Sequence, residues 1–162
     1  MIILIILLSF YLEGIVNSFI NIDYLVPLFT MLSLIIVYPY LYNKKKLYIM
    51  ICFITGLLYD IGYTDTLFLN ATIFTLIGYI IMVLNKFITN NKFNVALISI
   101  ILIILYRVIT YIILNFINYM NKDINLLLNS IIDSILINII YIVILYIITD
   151  IIANKKGIYK LD

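Results

Sequence analysis

Histidine is absent from this sequence. With it goes the side chain that most often serves as general base and metal ligand near neutral pH. A single cysteine, Cys52, lies inside an apolar run. It has no partner for an internal disulfide, and without a Cys/His cluster a structural zinc site is excluded. A lone buried thiol reads as a small packing residue. Charge is also scarce. Only 11% of the 162 residues are Asp, Glu, Lys or Arg, and the net charge is +2, against about 25% charged residues in ordinary soluble domains. That balance offers nothing for a nucleic acid to bind. With two prolines and five glycines, no linker-like stretch divides the chain, and neither an internal repeat nor a low-complexity segment stands out.

Apolar residues fill the space instead: 66% of the chain, with a mean hydropathy of +1.23. So little polar surface cannot cover a soluble core. The composition predicts an all-α integral membrane protein forming one domain over residues 1–162. A span needs about 20 residues to cross about 30 Å of hydrocarbon. Cutting the sequence at its polar clusters gives six candidates, about 2–20, 24–42, 47–63, 67–84, 95–118 and 124–149, with a polar tail over 154–162. The first lacks a basic leader and a small-x-small cleavage site and carries Glu13. It therefore reads as an uncleaved first span rather than a signal peptide.

Lysines set the orientation. Lys44, Lys45, Lys46, Lys86, Lys92, Lys155, Lys156 and Lys160 fall on one side of a six-span arrangement, and Lys122 alone on the other. Under the positive-inside rule the six-helix bundle has both termini in the cytoplasm, and the triple-lysine run is a cytoplasmic loop marker. Tyr38, Tyr40, Tyr42 and Tyr48 crowd the inner boundary, with Tyr24, Tyr63 and Tyr119 near the outer one, as expected of interfacial belts.

Four charges remain inside the spans: Glu13, Asp60, Arg107 and Asp133. At 1.5 Å per residue they lie roughly 18–24 Å from the lysine-rich face, in the middle-to-outer half of the bilayer. An ionisable group there is costly and marks either a packing network or a functional site. Ser9, Glu13, Asn17 and Asn21 recur every fourth residue along the first helix. Arg107, Thr110 and Tyr111 share a face of the fifth, and Asn129, Ser130, Asp133, Ser134 and Asn138 form a broad polar face on the sixth. The expectation is a buried network of Glu13, Asn17, Asp60, Arg107, Tyr111, Asn129 and Asp133, with Arg107 paired chiefly to Asp133 and with Asp60 or Glu13 as second neighbour. The same polar groups are open to a second reading, a ligand or ion site. In the third helix Cys52, Gly56 and Asp60 stack at four-residue spacing, and small residues there allow close approach of a partner backbone. The second helix has no charge and is expected to form a wall facing lipid or a partner.

The stretch Ile51 to Ile81, "ICFITGLLYDIGYTDTLFLNATIFTLIGYII", resembles the MreD family of rod shape-determining proteins. The resemblance rests on Gly56, Leu57, Leu58 and Asp60, a short polar loop, and a following helix that closes with Gly78-Tyr79. The preceding Tyr24 to Tyr42 is similar to the family's second helix, entered through a proline, here Pro27. One position departs: many members carry a glycine at the start of the fourth helix, where this chain has Phe68. The resemblance implies no catalysis, cofactor or metal. It implies a scaffold of the cell-elongation machinery in the bacterial cytoplasmic membrane, with MreC as main partner and the actin-like MreB, RodA and a class B penicillin-binding protein reached indirectly. It also implies a fold shared with the vitamin-binding subunits of energy-coupling-factor transporters. That leaves such a subunit as the alternative function, although the first helix has none of the alanines such subunits often use for docking. An intramembrane aspartyl enzyme using Asp60 and Asp133 is a third reading, which the lack of a Gly-x-Gly-Asp context opposes.

Overall fold

The computed structural model of the chain describes residues 1–19, 27–64, 66, 68–87, 91–117 and 124–156. Within them lie six α-helices: α1 (Ile2–Phe19), α2 (Phe29–Val37), α3 (Lys45–Tyr63), α4 (Leu69–Leu84), α5 (Lys92–Phe116) and α6 (Ile124–Lys156). A turn of 3-10 helix, Tyr38–Leu41, continues α2 around Pro39, where the missing N–H and fixed φ of proline disfavour further α-helix. Among the described residues there is no strand. Three helices, α3, α5 and α6, are long and apolar enough to cross a membrane, while α1, α4 and the α2 segment are shorter apolar helices.

The helix ends depart from the hydropathy cuts by a few residues, α3 starting at Lys45 rather than 47 and α5 spanning Lys92–Phe116 rather than 95–118, and three further departures are larger or bear on the site. The second helix begins at Phe29, not near residue 24, because Pro27 and Leu28 are non-helical. The fourth begins at Leu69. The sixth runs past Thr149 through the first residues of the expected polar tail, 33 residues in all. The connections 21–23 and 118–123, with Asn21, Tyr24, Asn118, Tyr119 and Lys122, lie outside the described residues, as do Asp65, 88–90 and 157–162.

The second helix corrects an expectation. All nine residues of α2 are buried, and α2 touches each of the other five helices. It is the centre of the bundle and not an outer wall. Absence of charge has the same appearance in both cases, since a helix apolar on every side is equally suited to lipid or to a protein interior. Around α2, α3 packs chiefly against α4 and α5 against α6.

Two of the tyrosines assigned to the inner belt belong to this core as well. Tyr38 and Tyr48 are fully buried, their rings 4.9 Å apart at 63°, and the Tyr48 hydroxyl donates to the Leu34 carbonyl of α2 at 3.1 Å. Tyr40 and Tyr42 remain half-exposed.

Candidate functional site

Asp60, three residues before the end of α3, is buried and reaches across to the first turn of α4. Its Oδ1 accepts from the Asn70 backbone N–H and the Asn70 Nδ2, both at 3.0 Å, and its Oδ2 accepts from the Ala71 N–H at 3.0 Å. The hydroxyls of Thr64 and Thr66 also donate to Oδ1, at 3.3 and 3.2 Å. Asn70 and Ala71 are the second and third residues of α4, and Phe68, at the cap position, gives no side-chain acceptor. The first N–H groups of any helix lack intrahelical partners, and a cap side chain normally serves those of the second or third residue. Here a carboxylate from the preceding helix serves both. It also meets the positive end of the helix dipole, which favours a negative group.

Gly56 makes that reach possible. A Cβ on it would stand 2.5 Å from both the Ala71 Cα and the Asn70 carbonyl oxygen, so α4 can approach only because position 56 has no side chain. One turn earlier Cys52 packs on Gly78, where a Cβ would lie 2.7 Å from the cysteine sulfur. The stripe Cys52, Gly56, Asp60 is thus the contact line of α3 on α4. The departure at Phe68 is explained in the same place. Its φ is 65° and ψ 0°, a left-handed conformation that suits glycine and strains other residues.

Glu13 repeats the arrangement one hairpin earlier. It is fully buried on α1. Its Oε2 accepts from the Thr30 backbone N–H at 2.8 Å and the Thr30 hydroxyl at 2.6 Å, and Thr30 is the second residue of α2. Its Oε1 accepts from the Tyr59 hydroxyl at 2.8 Å. The Leu28 N–H, just outside α2, donates to the Asn138 Oδ1 of α6 at 2.7 Å. Buried Pro27 precedes that group.

Hydrogen bonds continue from these caps around the bundle. Tyr106 of α5 donates to the Asn70 Oδ1 at 2.8 Å. Arg107 Nε donates to the Ser134 hydroxyl of α6 at 3.0 Å. Tyr141 of α6 donates to the Ser9 hydroxyl of α1 at 2.6 Å. The resulting belt ties all six helices together.

Of the residues expected in the network, Glu13 and Asp60 are central, but each is held by a helix terminus and not by arginine. Arg107 does not pair with Asp133: among the described residues its hydrogen-bond partner is Ser134, one position further on. Successive helical residues point about 100° apart, and the side of α6 turned inward carries Ser134 and Asn138, both fully buried. Asp133 is only half-buried and Asn129 is exposed, on the neighbouring side. The Nη2 of Arg107 is buried without a hydrogen-bond partner, and the guanidinium lies 5.8 Å from the centroid of the Tyr106 ring. Asn17 is exposed; each four-residue step turns the stripe by about 40°, which carries it away from Glu13 and the start of α2. Tyr111 is half-buried and lines a cavity of about 140 Å³ with Arg107, Thr110 and Ser130. Of the motif positions, Leu57 is half-buried, while Leu58 and Tyr79 are 44% and 55% exposed.

Sequence reasoning missed Tyr59, Asn70 and Tyr106, and passed over Thr30. The available signal was their position: two tyrosines deep within spans, away from the belts where tyrosine is common.

A family model, the rod shape-determining protein MreD, matches residues 1–156. The chain belongs to the MreD family. No characterised protein and no solved structure gives a significant match. MreD proteins are membrane proteins of rod-shape determination, so the Gly56–Asp60 constellation lies within a family tied to cell shape and not within a known enzyme family. The chemistry of the site accords with an architectural part. Both oxygens of Asp60 and of Glu13 already accept hydrogen bonds, and among the described residues no three His, Cys, Asp or Glu side chains gather as a metal site would require.

Proposed function

We propose that this MreD-family chain is a non-enzymatic scaffold of the bacterial cell-elongation machinery. It crosses the cytoplasmic membrane six times with both termini inside. MreC is its main partner, and through MreC it links MreB filaments to RodA and a class B penicillin-binding protein. The observation that carries this reading is the family match over residues 1–156.

The arrangement of polar groups supports it. Belt hydrogen bonds are made inward, which leaves large apolar side chains of α1, α3, α5 and α6 exposed for lipid and partner helices. Six crossings fit the lysine asymmetry. They require the short helices, about 27 Å for α1, 21 Å for α2 with its 3-10 turn and 24 Å for α4, to be completed by their flanking segments. The vitamin-transporter alternative gains less support: the cavity at Arg107, about 140 Å³, falls below the roughly 300–1,000 Å³ of small-molecule sites.

Depletion in the native rod-shaped host tests the function. Rounded, widened cells with undiminished vitamin uptake are expected. Normal rods together with a nutrient auxotrophy would overturn the proposal. The topology is tested separately by single cysteines in the Lys44 loop, with Cys52 replaced. Labelling there by an impermeant thiol reagent on intact cells would refute cytoplasmic placement.

A further inference from the structure

Two surface features outside the belt meet at Leu47. One is an apolar groove of about 500 Å³ between α1 and α3, walled by Ile2, Ile6, Leu41, Ile51, Ile54 and Leu58. The other is a shallow depression of about 670 Å³ formed by residues 42–47, which include Lys44, Lys45 and Lys46. Leu47 lines both. All three lysines are exposed, and Lys45 Nζ lies 5.6 Å from the centroid of the Tyr42 ring. A dry slot therefore opens at one end onto a cluster of cations.

We propose that this slot seats an acyl chain of an anionic phospholipid whose phosphate is held by Lys44–Lys46. The length agrees. Along α3 the slot runs from Leu47 to Leu58, about 16 Å at 1.5 Å per residue, and one leaflet of a hydrocarbon core about 30 Å thick is about 15 Å deep. The chemistry agrees too. Thr55 is the one hydroxyl in the slot, and it donates to the Ile51 carbonyl of its own helix at 2.7 Å, so the wall offers a hydrocarbon chain no competing polar group. Basic clusters beside membrane helices attract anionic headgroups. A transmembrane helix fits less well. It is about 10–12 Å across and favours small residues at its seat, whereas nine of the ten residues lining this one are Ile or Leu.

The full chain, purified in detergent, is titrated with phosphatidylglycerol, with phosphatidylcholine of the same chains and with inorganic phosphate, and complexes are counted by native mass spectrometry. Phosphatidylglycerol should bind at least tenfold more tightly than phosphatidylcholine, since each nearby lysine contributes roughly fivefold toward an anionic lipid. The triple variant K44S/K45S/K46S should bring the two lipids to equal affinity. Ile54→Trp, which fills the slot from a position 43% exposed and keeps the lysines, should weaken both. Equal affinity for the two lipids in the unaltered chain, undiminished phosphatidylglycerol preference in the triple variant, or unchanged lipid binding in Ile54→Trp would each overturn the proposal. So would inorganic phosphate binding as tightly as phosphatidylglycerol, or cross-linking of a cysteine at position 54 to another helix instead of to a lipid photoprobe.

Discussion

Replacing Asp60 by alanine removes the cap of α4 without touching its packing line at Gly56. The Asn70 and Ala71 N–H groups and the Asn70 amide would lose their shared acceptor in a place that admits no compensating surface exposure. Loss of an ordinary cap costs about 0.5–2 kcal/mol. An orphaned buried donor costs about 1–3 kcal/mol, and here two backbone donors are orphaned together, so about 3–5 kcal/mol is expected. Asp60→Asn should lie between, at about 2–3 kcal/mol, because one oxygen remains while an NH2 group is turned against a backbone N–H. The assay is equilibrium unfolding in mixed SDS–detergent micelles, followed through a fused fluorescent reporter because the chain has no tryptophan. Arg107→Leu discriminates the cap from an ion pair. If Asp60 served to neutralise Arg107, the asparagine variant would be rescued by Arg107→Leu; the cap predicts no rescue. Stability of Asp60→Ala within about 0.5 kcal/mol of the unaltered chain, or rescue by Arg107→Leu, would refute the capping account.

Glu13→Gln should destabilise by about 1–3 kcal/mol, since the Thr30 N–H and hydroxyl and the Tyr59 hydroxyl all bond its carboxyl oxygens and a buried donor left without its acceptor costs about that much; the same unfolding assay reads it. Gly56→Ala should cost at least about 1–3 kcal/mol through overpacking against the Ala71 backbone, seen as reduced folded protein in membranes. Phe68→Gly should stabilise by about 1 kcal/mol, because it relieves a left-handed residue that is 57% exposed and buries little; a loss of stability would contradict the strain. A double-mutant cycle between Arg107 and Asp133 should give a coupling below about 1 kcal/mol, while Arg107 and Ser134, which share a hydrogen bond, should couple more strongly.

The six helices were legible because long apolar runs separated by lysine and asparagine clusters have few other meanings, and the α3–α4 contact was legible in the spacing of Cys52, Gly56 and Asp60. The partners of the charges were not. A carboxylate in a membrane was matched by sequence reasoning to the one available cation, Arg107, because charges are visible in a sequence and unpaired backbone N–H groups are not. Helix termini became visible only once α2 and α4 were seen to begin beside Glu13 and Asp60. The central place of α2 was hidden for another reason: its residues suit lipid and protein interior alike. Phe68 was marked by the sequence as a departure, but only its backbone angle gives the family's glycine a physical cause.

Glu13 and Asp60 have a consequence for biogenesis. Each acid precedes the helix terminus it bonds, Glu13 lying 17 residues before Thr30 and Asp60 lying 11 before Ala71. A chain made from its N-terminus therefore presents each acid before the N–H groups that bond it exist. Neither α1 nor α3 is complete as a unit of insertion. The hairpins α1–α2 and α3–α4 are the smallest pieces in which acid and helix terminus are satisfied together.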